Sequence, residues 1–269
     1  MDMLEDRFRF GKNWSEYLQN LDDEKISIAM QSLIDWLQME NLNGKTFLDI
    51  GSGSGLFSLA ARKLGARVYS FDYDKDSVEC TRILRERYFP DDSQWSVEQG
   101  DALNKEYLKK YGECDVVYSW GVLHHTGNMY KGLENAGDLV KSGGKLFIAI
   151  YNDEGKWSDV WKFIKKTYNS LPGIFKWIIL LPCFVRLWGP TTIKDFMRLQ
   201  PFHTWREYKK KRGMSPWHDV VDWVGGWPFE VARPDEIFDF FHERGFELKK
   251  MFTGGGHGCN QFVFVKQIK

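Results

Sequence analysis

Apolar positions along this chain change period at Lys45. Before it, Ile26, Ile28, Ala29, Leu33, Trp36 and Leu37 make one stripe at helical spacing, which predicts an amphipathic helix over Glu24–Leu42, stopped by Asn43-Gly44. After it, short apolar runs alternate with helix-period segments. Thr46–Ile50, Arg67–Phe71, Val97–Ala102, Asp115–His125 and Ser142–Asp153 each carry a strand; Leu56–Lys63, Ser77–Arg87 and Met129–Val140 read as helices between them. Such alternation predicts a doubly wound α/β sheet. The pattern breaks from Asn152 to about Val231. It resumes with a helix over Pro234–Arg244, Asp235 and Glu236 in its first turn and Gly245 as its stop, then strands Glu247–Phe252 and Gln261–Lys266. The expected organisation is a helical lead-in or cap over 1–44, an α/β core over 45–151, a helical aromatic-rich insertion over 152–231, and a C-terminal helix and strand pair over 232–269.

The first strand runs into a glycine-rich turn, FLDIGSGSGL, from Phe47 to Leu56. Strand, glycine turn and helix is how an open α/β sheet presents a nucleotide-sized ligand at its carboxyl edge. Gly51, Gly53 and Gly55 follow G-x-G-x-G, whereas a dinucleotide fingerprint wants G-x-G-x-x-G, and here Leu56 takes the sixth place. The second strand ends in Asp72, placed to accept both ribose hydroxyl protons. The third leads to Asp101, and the fourth runs through Ser119 and Trp120 into Leu123-His124-His125. One Asp at a strand end is as well explained by capping the next helix. Five elements in this order are not. An NAD-dependent reductase remains the competing reading of the turn alone.

This ordered series resembles the class I S-adenosylmethionine-dependent methyltransferases over about Leu42–Asp153, and more loosely towards the C-terminus. The resemblance implies a Rossmann-like, mostly parallel seven-stranded sheet closed by a C-terminal antiparallel hairpin, with S-adenosylmethionine as cofactor and S-adenosylhomocysteine as product. By the same resemblance Asp49, Gly51, Ser52 and Gly53 line the amino-acid half of the cofactor, and Asp72 holds the ribose with Tyr73 against the adenine. Asp101 and Ala102 contact the adenine edge; Ser119 and Trp120 border the sulfonium. The LHH after the fourth strand looks like the ubiquinone and menaquinone methyltransferase group.

Charge is balanced, 37 Lys plus Arg against 37 Asp plus Glu, which gives no general basic surface for nucleic acid. The run Lys209–Arg212 reads as a solvated face, and no nucleic-acid partner is expected. Cys80, Cys114, Cys183 and Cys259 are scattered without C-x-x-C spacing, which suggests reduced thiols in the cytoplasm. The first residues, MDMLEDRFRFG, lack a signal-peptide apolar region. Phe8, Phe10, Trp14 and Tyr17 lie near helical spacing and read either as a flap over the cofactor or as a helix on the sheet edge. The 12 Trp, 11 Tyr and 20 Phe are numerous after position 150, where they build either a lined cavity or an aromatic core.

Within the insertion, Leu171–Trp188 is the most apolar stretch, split by Pro172 and Pro182 and punctuated by Lys176 and Arg186. It reads as too short and interrupted to span a bilayer. It suits either a helical lid or homodimer face, or a segment lying at a membrane surface. His218 beside Asp219, among Trp217, Trp223 and Trp227, suits either a substrate pocket or a packed loop. In-line methyl transfer to a small-molecule acceptor, with or without an apolar tail, needs mostly proximity and orientation. A base is required only for a hydroxyl or protonated amine, and His is suited to it near neutral pH. His125 is the first candidate, His218 the second, with His257 able to reach the same mouth; no spacing argues for a metal. A scaffold that binds the cofactor without catalysis is the remaining alternative class.

Overall fold

The computed structural model describes residues 18, 21–212, 215–254 and 258–268. The aromatic positions expected to form an N-terminal flap, and His257, lie outside the described residues. The described chain divides into two units, Gly155–Phe229 and the remainder.

The larger unit is built on a seven-stranded sheet. Its strands are β1 (Thr46–Ile50), β2 (Arg67–Asp72), β3 (Trp95–Gln99), β4 (Cys114–Trp120), β5 (Val140–Tyr151), β6 (Phe246–Phe252) and β7 (Cys259–Lys266). Their spatial order is β3-β2-β1-β4-β5-β7-β6. The first five run parallel; β7 pairs antiparallel with both β5 and β6. This is the expected Rossmann-like class, hairpin included. Consecutive residues supply opposite faces, so Phe47 and Val116 enter one apolar layer while Leu48 and Val117 enter the other. Burial on both faces explains why the central strands read as continuous apolar runs.

Helices α1 (Asp23–Leu37), α2 (Leu56–Lys63) and α3 (Lys75–Tyr88) cover the first layer. A short α4 (Lys105–Leu108) follows β3; α5 (Met129–Asp138) and α10 (Pro234–His242) cover the second layer. Helix α1 sets Ile26, Ala29, Leu33 and Leu37 into the sheet's own core. It stops at Leu37 rather than at the expected Leu42. Gln38 takes the left-handed conformation (φ 51°), and its N–H and that of Met39 both return to the Ile34 carbonyl. That turn frees Leu42 to enter the core and donate to the Leu64 carbonyl at 2.8 Å.

The chain leaves the sheet after β5 and returns at Ala232, and the two crossings are tied together. Asn152 bridges Ala232; Ala232 N–H donates to the Tyr151 carbonyl at 3.0 Å and Asp153 N–H to the Ala232 carbonyl at 3.2 Å.

The smaller unit is helical: α6 (Lys156–Ser170), α7 (Trp177–Met197), α8 (His203–Arg212) and α9 (Pro216–Gly225). Pro172 lies in the turn before α7, but Pro182 does not split the apolar stretch. Helix α7 continues through both Pro182 and Pro190 for 21 residues. An internal proline removes one backbone bond and bends a helix; packing of Leu180, Cys183 and Trp188 in the unit's interior keeps the element whole. Inside the unit, Lys165 is fully buried. Its ammonium lies 4.2 Å from the Trp223 ring centroid and 4.7 Å from that of Phe229, and donates to the Trp223 carbonyl.

Candidate active site

The glycine turn between β1 and α2 is held from three sides. Gly51 and Ser52 N–H both donate to the Phe71 carbonyl, at 2.9 and 3.1 Å, which fastens the turn to the end of β2. The Thr81 hydroxyl, on α3, bonds the Ser52 hydroxyl at 3.0 Å and the Gly53 carbonyl at 3.3 Å. From β4's side, Val122 closes over Gly51: a Cβ there would lie 2.4 Å from a Val122 methyl, and the φ of +80° is itself strained for any other residue.

Two carboxyls converge on this turn. Asp72 accepts the Gly53 N–H on one oxygen and the Asp74 N–H on the other, both at 2.9 Å. Burial nevertheless pushes it up to about 6, the two N–H donors opposing. Asp49 is buried at the end of β1 and accepts the Ser58 hydroxyl at 2.5 Å. Burial, with the charge of Asp72 adding, raises it to about 7. Behind it runs a buried chain in which the Ser58 hydroxyl bonds that of Ser70 at 2.7 Å and Trp95 Nε1 donates to Ser70 at 2.9 Å. Among the described residues the buried Tyr118 hydroxyl has no hydrogen-bond partner, and both burial and the Asp49 charge resist its ionisation.

The other expected residues follow along the same edge. Tyr73 is exposed, its carbonyl fixed by Gln99 Nε2 at 3.0 Å. β3 ends at Gln99, so Asp101 sits on the loop beyond it, where its carboxylate accepts the Leu103 N–H at 2.9 Å. The buried Ala102 is pinned through its carbonyl by Asn135 of α5 at 2.8 Å. Ser119 is fully buried and spends its hydroxyl on the Ile50 carbonyl at 3.0 Å, tying β4 to β1; the neighbouring Trp120 is exposed. The structure thus gathers Asp49, Gly51, Ser52, Gly53, Asp72, Tyr73, Asp101, Ala102, Ser119 and Trp120 at the C-terminal edge of β1–β4. That is where open α/β sheets bind ligands.

His125 lies just beyond β4 in a tight turn, half-buried, edge-on to Tyr151 at 5.4 Å. His124 beside it is buried, with Nδ1 accepting the Tyr151 N–H at 3.2 Å and its ring 3.8 Å from that of Tyr151. Glu230 locks this corner: its N–H donates to the His124 carbonyl at 3.0 Å and its carboxylate accepts the Met129 N–H at the start of α5. His218 belongs to the other unit, in the first turn of α9, its N–H donated to Ser215 Oγ at 3.2 Å. Thr81, Val122, Tyr151 and Glu230 were not singled out by sequence. Their parts rest on partners far away in sequence, from 27 positions for Tyr151 and His124 to 101 for Glu230 and Met129, or on backbone turns that no local pattern records.

Chemically, this edge offers acidic and hydroxyl acceptors and backbone donors, suited to a ligand combining cationic groups with a sugar diol. Among the described residues no group of His, Cys, Asp and Glu could hold a metal ion. Residues 23–248 match a family described as a methyltransferase domain. A ribosomal protein L11 methyltransferase of Helicobacter hepaticus is 36% identical over 92 residues, covering 29% of this chain and 28% of that protein. A ubiquinone biosynthesis O-methyltransferase of Nitrosococcus oceani is 32% identical over 114 residues, 42% of this chain and 46% of that protein. The chain thus spans under half the length of these relatives. Among solved structures, magnesium protoporphyrin IX methyltransferase of Synechocystis PCC 6803 with bound SAH superposes with a TM-score of 0.53 at 16% identity, over 92% of this chain and 89% of that one. At that identity the likeness establishes the shared fold.

Proposed function

The chain belongs to the methyltransferase-domain family, and on that footing we propose that it transfers a methyl group from S-adenosylmethionine to a small-molecule acceptor. One observation supports this most directly: a left-handed glycine turn clamped beside Asp72, with both carboxylate oxygens already oriented by backbone N–H groups. The residues present fit the cofactor. Asp72 suits the ribose hydroxyls, Asp49 the cationic end, and Tyr73, Asp101 and Ala102 the base. When bound, S-adenosylmethionine supplies a methyl already activated by its sulfonium.

The chain's own task is therefore to hold an acceptor in line and keep water out. For a hydroxyl acceptor His125 takes the proton, with Tyr151 and the Glu230-locked backbone fixing its place. The acceptor is small in this reading because the ribosomal-protein methyltransferases are matched over a minor part of their length, between 19% and 37%. Their sequence beyond that segment has no counterpart in the match.

Thermal-shift measurement with S-adenosylmethionine, S-adenosylhomocysteine and NAD tests the cofactor. Saturation at a hundredfold over Kd stabilises by about 2.7 kcal/mol, and only the two adenosyl ligands are expected to do so. Asp72→Ala is expected to abolish the shift. His125→Ala is expected to keep it while lowering turnover about a hundredfold or more. Equal loss of binding in both variants would remove the role given to His125.

A further inference from the structure

We propose that the helical unit docks on an anionic lipid surface through one face of α7. The inference rests on this unit alone and not on the methyl-transfer reading. Helix α7 has two unlike sides. Leu180, Cys183 and Trp188 point into the unit, where α7 packs against α9. On the opposite side Ile178, Leu181, Val185, Ile193 and Phe196, with Phe163 of α6, are between 51% and 71% exposed. A row of large apolar side chains at helical spacing turned to solvent marks a surface that meets something apolar.

Charge decides what it meets. Between Val160 and Arg206 the chain carries eight Lys and Arg and one acid, Asp195. That acid is buried, with its two oxygens bonded to Thr204 N–H and Oγ1 at 2.7 and 2.6 Å. Asp159, one residue before this stretch, is exposed; within the stretch no carboxylate reaches solvent, while Lys162, Lys166, Arg186, Lys194 and Arg198 are exposed. An apolar row bordered by cations complements acyl chains beneath acidic headgroups. A second copy of the same face would instead bring like charges together.

Contrary to the expectation from sequence, the helical segment Gly173–Met197 is, by length and composition, long and apolar enough to cross a bilayer. Two features favour lying in the plane. Arg186 sits mid-helix, and the side bearing Leu180 and Cys183 is already occupied by protein. A helix seated this way buries its apolar face about 5–10 Å deep and keeps its cations at the headgroups.

Vesicle co-sedimentation of the full chain tests this, with phosphatidylcholine alone against an equal mixture with phosphatidylglycerol. The expected result is binding to the mixture that weakens with salt. The double variant Ile178→Glu/Val185→Glu is expected to lower partition about tenfold or more. Lys162→Glu/Lys194→Glu is expected to lower it about fivefold or more per reversed charge, on the anionic vesicles only. Far-UV circular dichroism of each variant reads its fold; both pairs are exposed, so either one suffices. Three results would overturn the proposal. One is wild-type sedimentation equal to that of the folded variants. Another is a dimer in ultracentrifugation that the apolar pair dissolves, without vesicle binding. The last is retention in membranes after an alkaline carbonate wash, which would mean a spanning helix.

Discussion

Asp49 couples the pH to the state of the glycine turn. Its folded value, about 7, stands above its ordinary 3.8. The folded state therefore holds more protons than the unfolded one across that window, and stability falls as pH rises through it. Asp49→Asn keeps an acceptor for Ser58 and removes the ionisation. Denaturation at a series of pH values is expected to show a flatter slope between about 4 and 7 in this variant. A cationic ligand beside Asp49 favours its charged form, so binding near neutral pH releases a proton. Calorimetry of S-adenosylhomocysteine in buffers of different ionisation enthalpy is expected to detect that proton, and affinity is expected to rise from about pH 6 to about pH 8. A pH-independent affinity would contradict this. The acids were legible in the sequence because each lies at or just past the end of a strand, before a turn. The serine chain behind Asp49 was not, since Ser58, Ser70 and Trp95 meet only when three elements pack.

At the scale of elements, strand periodicity was readable because both faces of β1 and β4 are buried. Element ends were less so. Local propensity did not reveal that Gln38 would take a left-handed turn, nor that tertiary packing would carry α7 through two prolines. Lys165 shows the same gap: nothing in the local sequence sets it apart from Lys162 and Lys166 of α6. In the structure it is wholly buried against Trp223 and Phe229, and desolvation lowers it from 10.5 to about 7. Here the folded state holds fewer protons, so stability from this group rises with pH from about 7 towards 10.5. Lys165→Met fills the same slot without charge. It is expected to be no less stable near neutral pH and to lose that alkaline rise. Thermal melts across the range check it, and an unchanged slope would sink the assignment.

For the whole molecule, the sheet unit holds every residue proposed to bind the cofactor, while His218 and the exposed apolar row belong to the other unit. A chain with Gly155–Phe229 replaced by a short Gly-Ser linker is expected to unfold cooperatively and to keep the thermal shift with S-adenosylhomocysteine, while losing turnover on any acceptor. Loss of cooperative unfolding would show that the sheet depends on the insertion.

The expectation comes from the paired crossings at Tyr151–Asp153 and Ala232, which hydrogen-bond to one another before the excursion begins. Such a knot makes the length of the excursion nearly free. Doubling a loop whose ends are already joined costs only about 0.6 kcal/mol in closure entropy. Substitution, growth or exchange of the intervening sequence is therefore expected to leave the register of the strands unchanged.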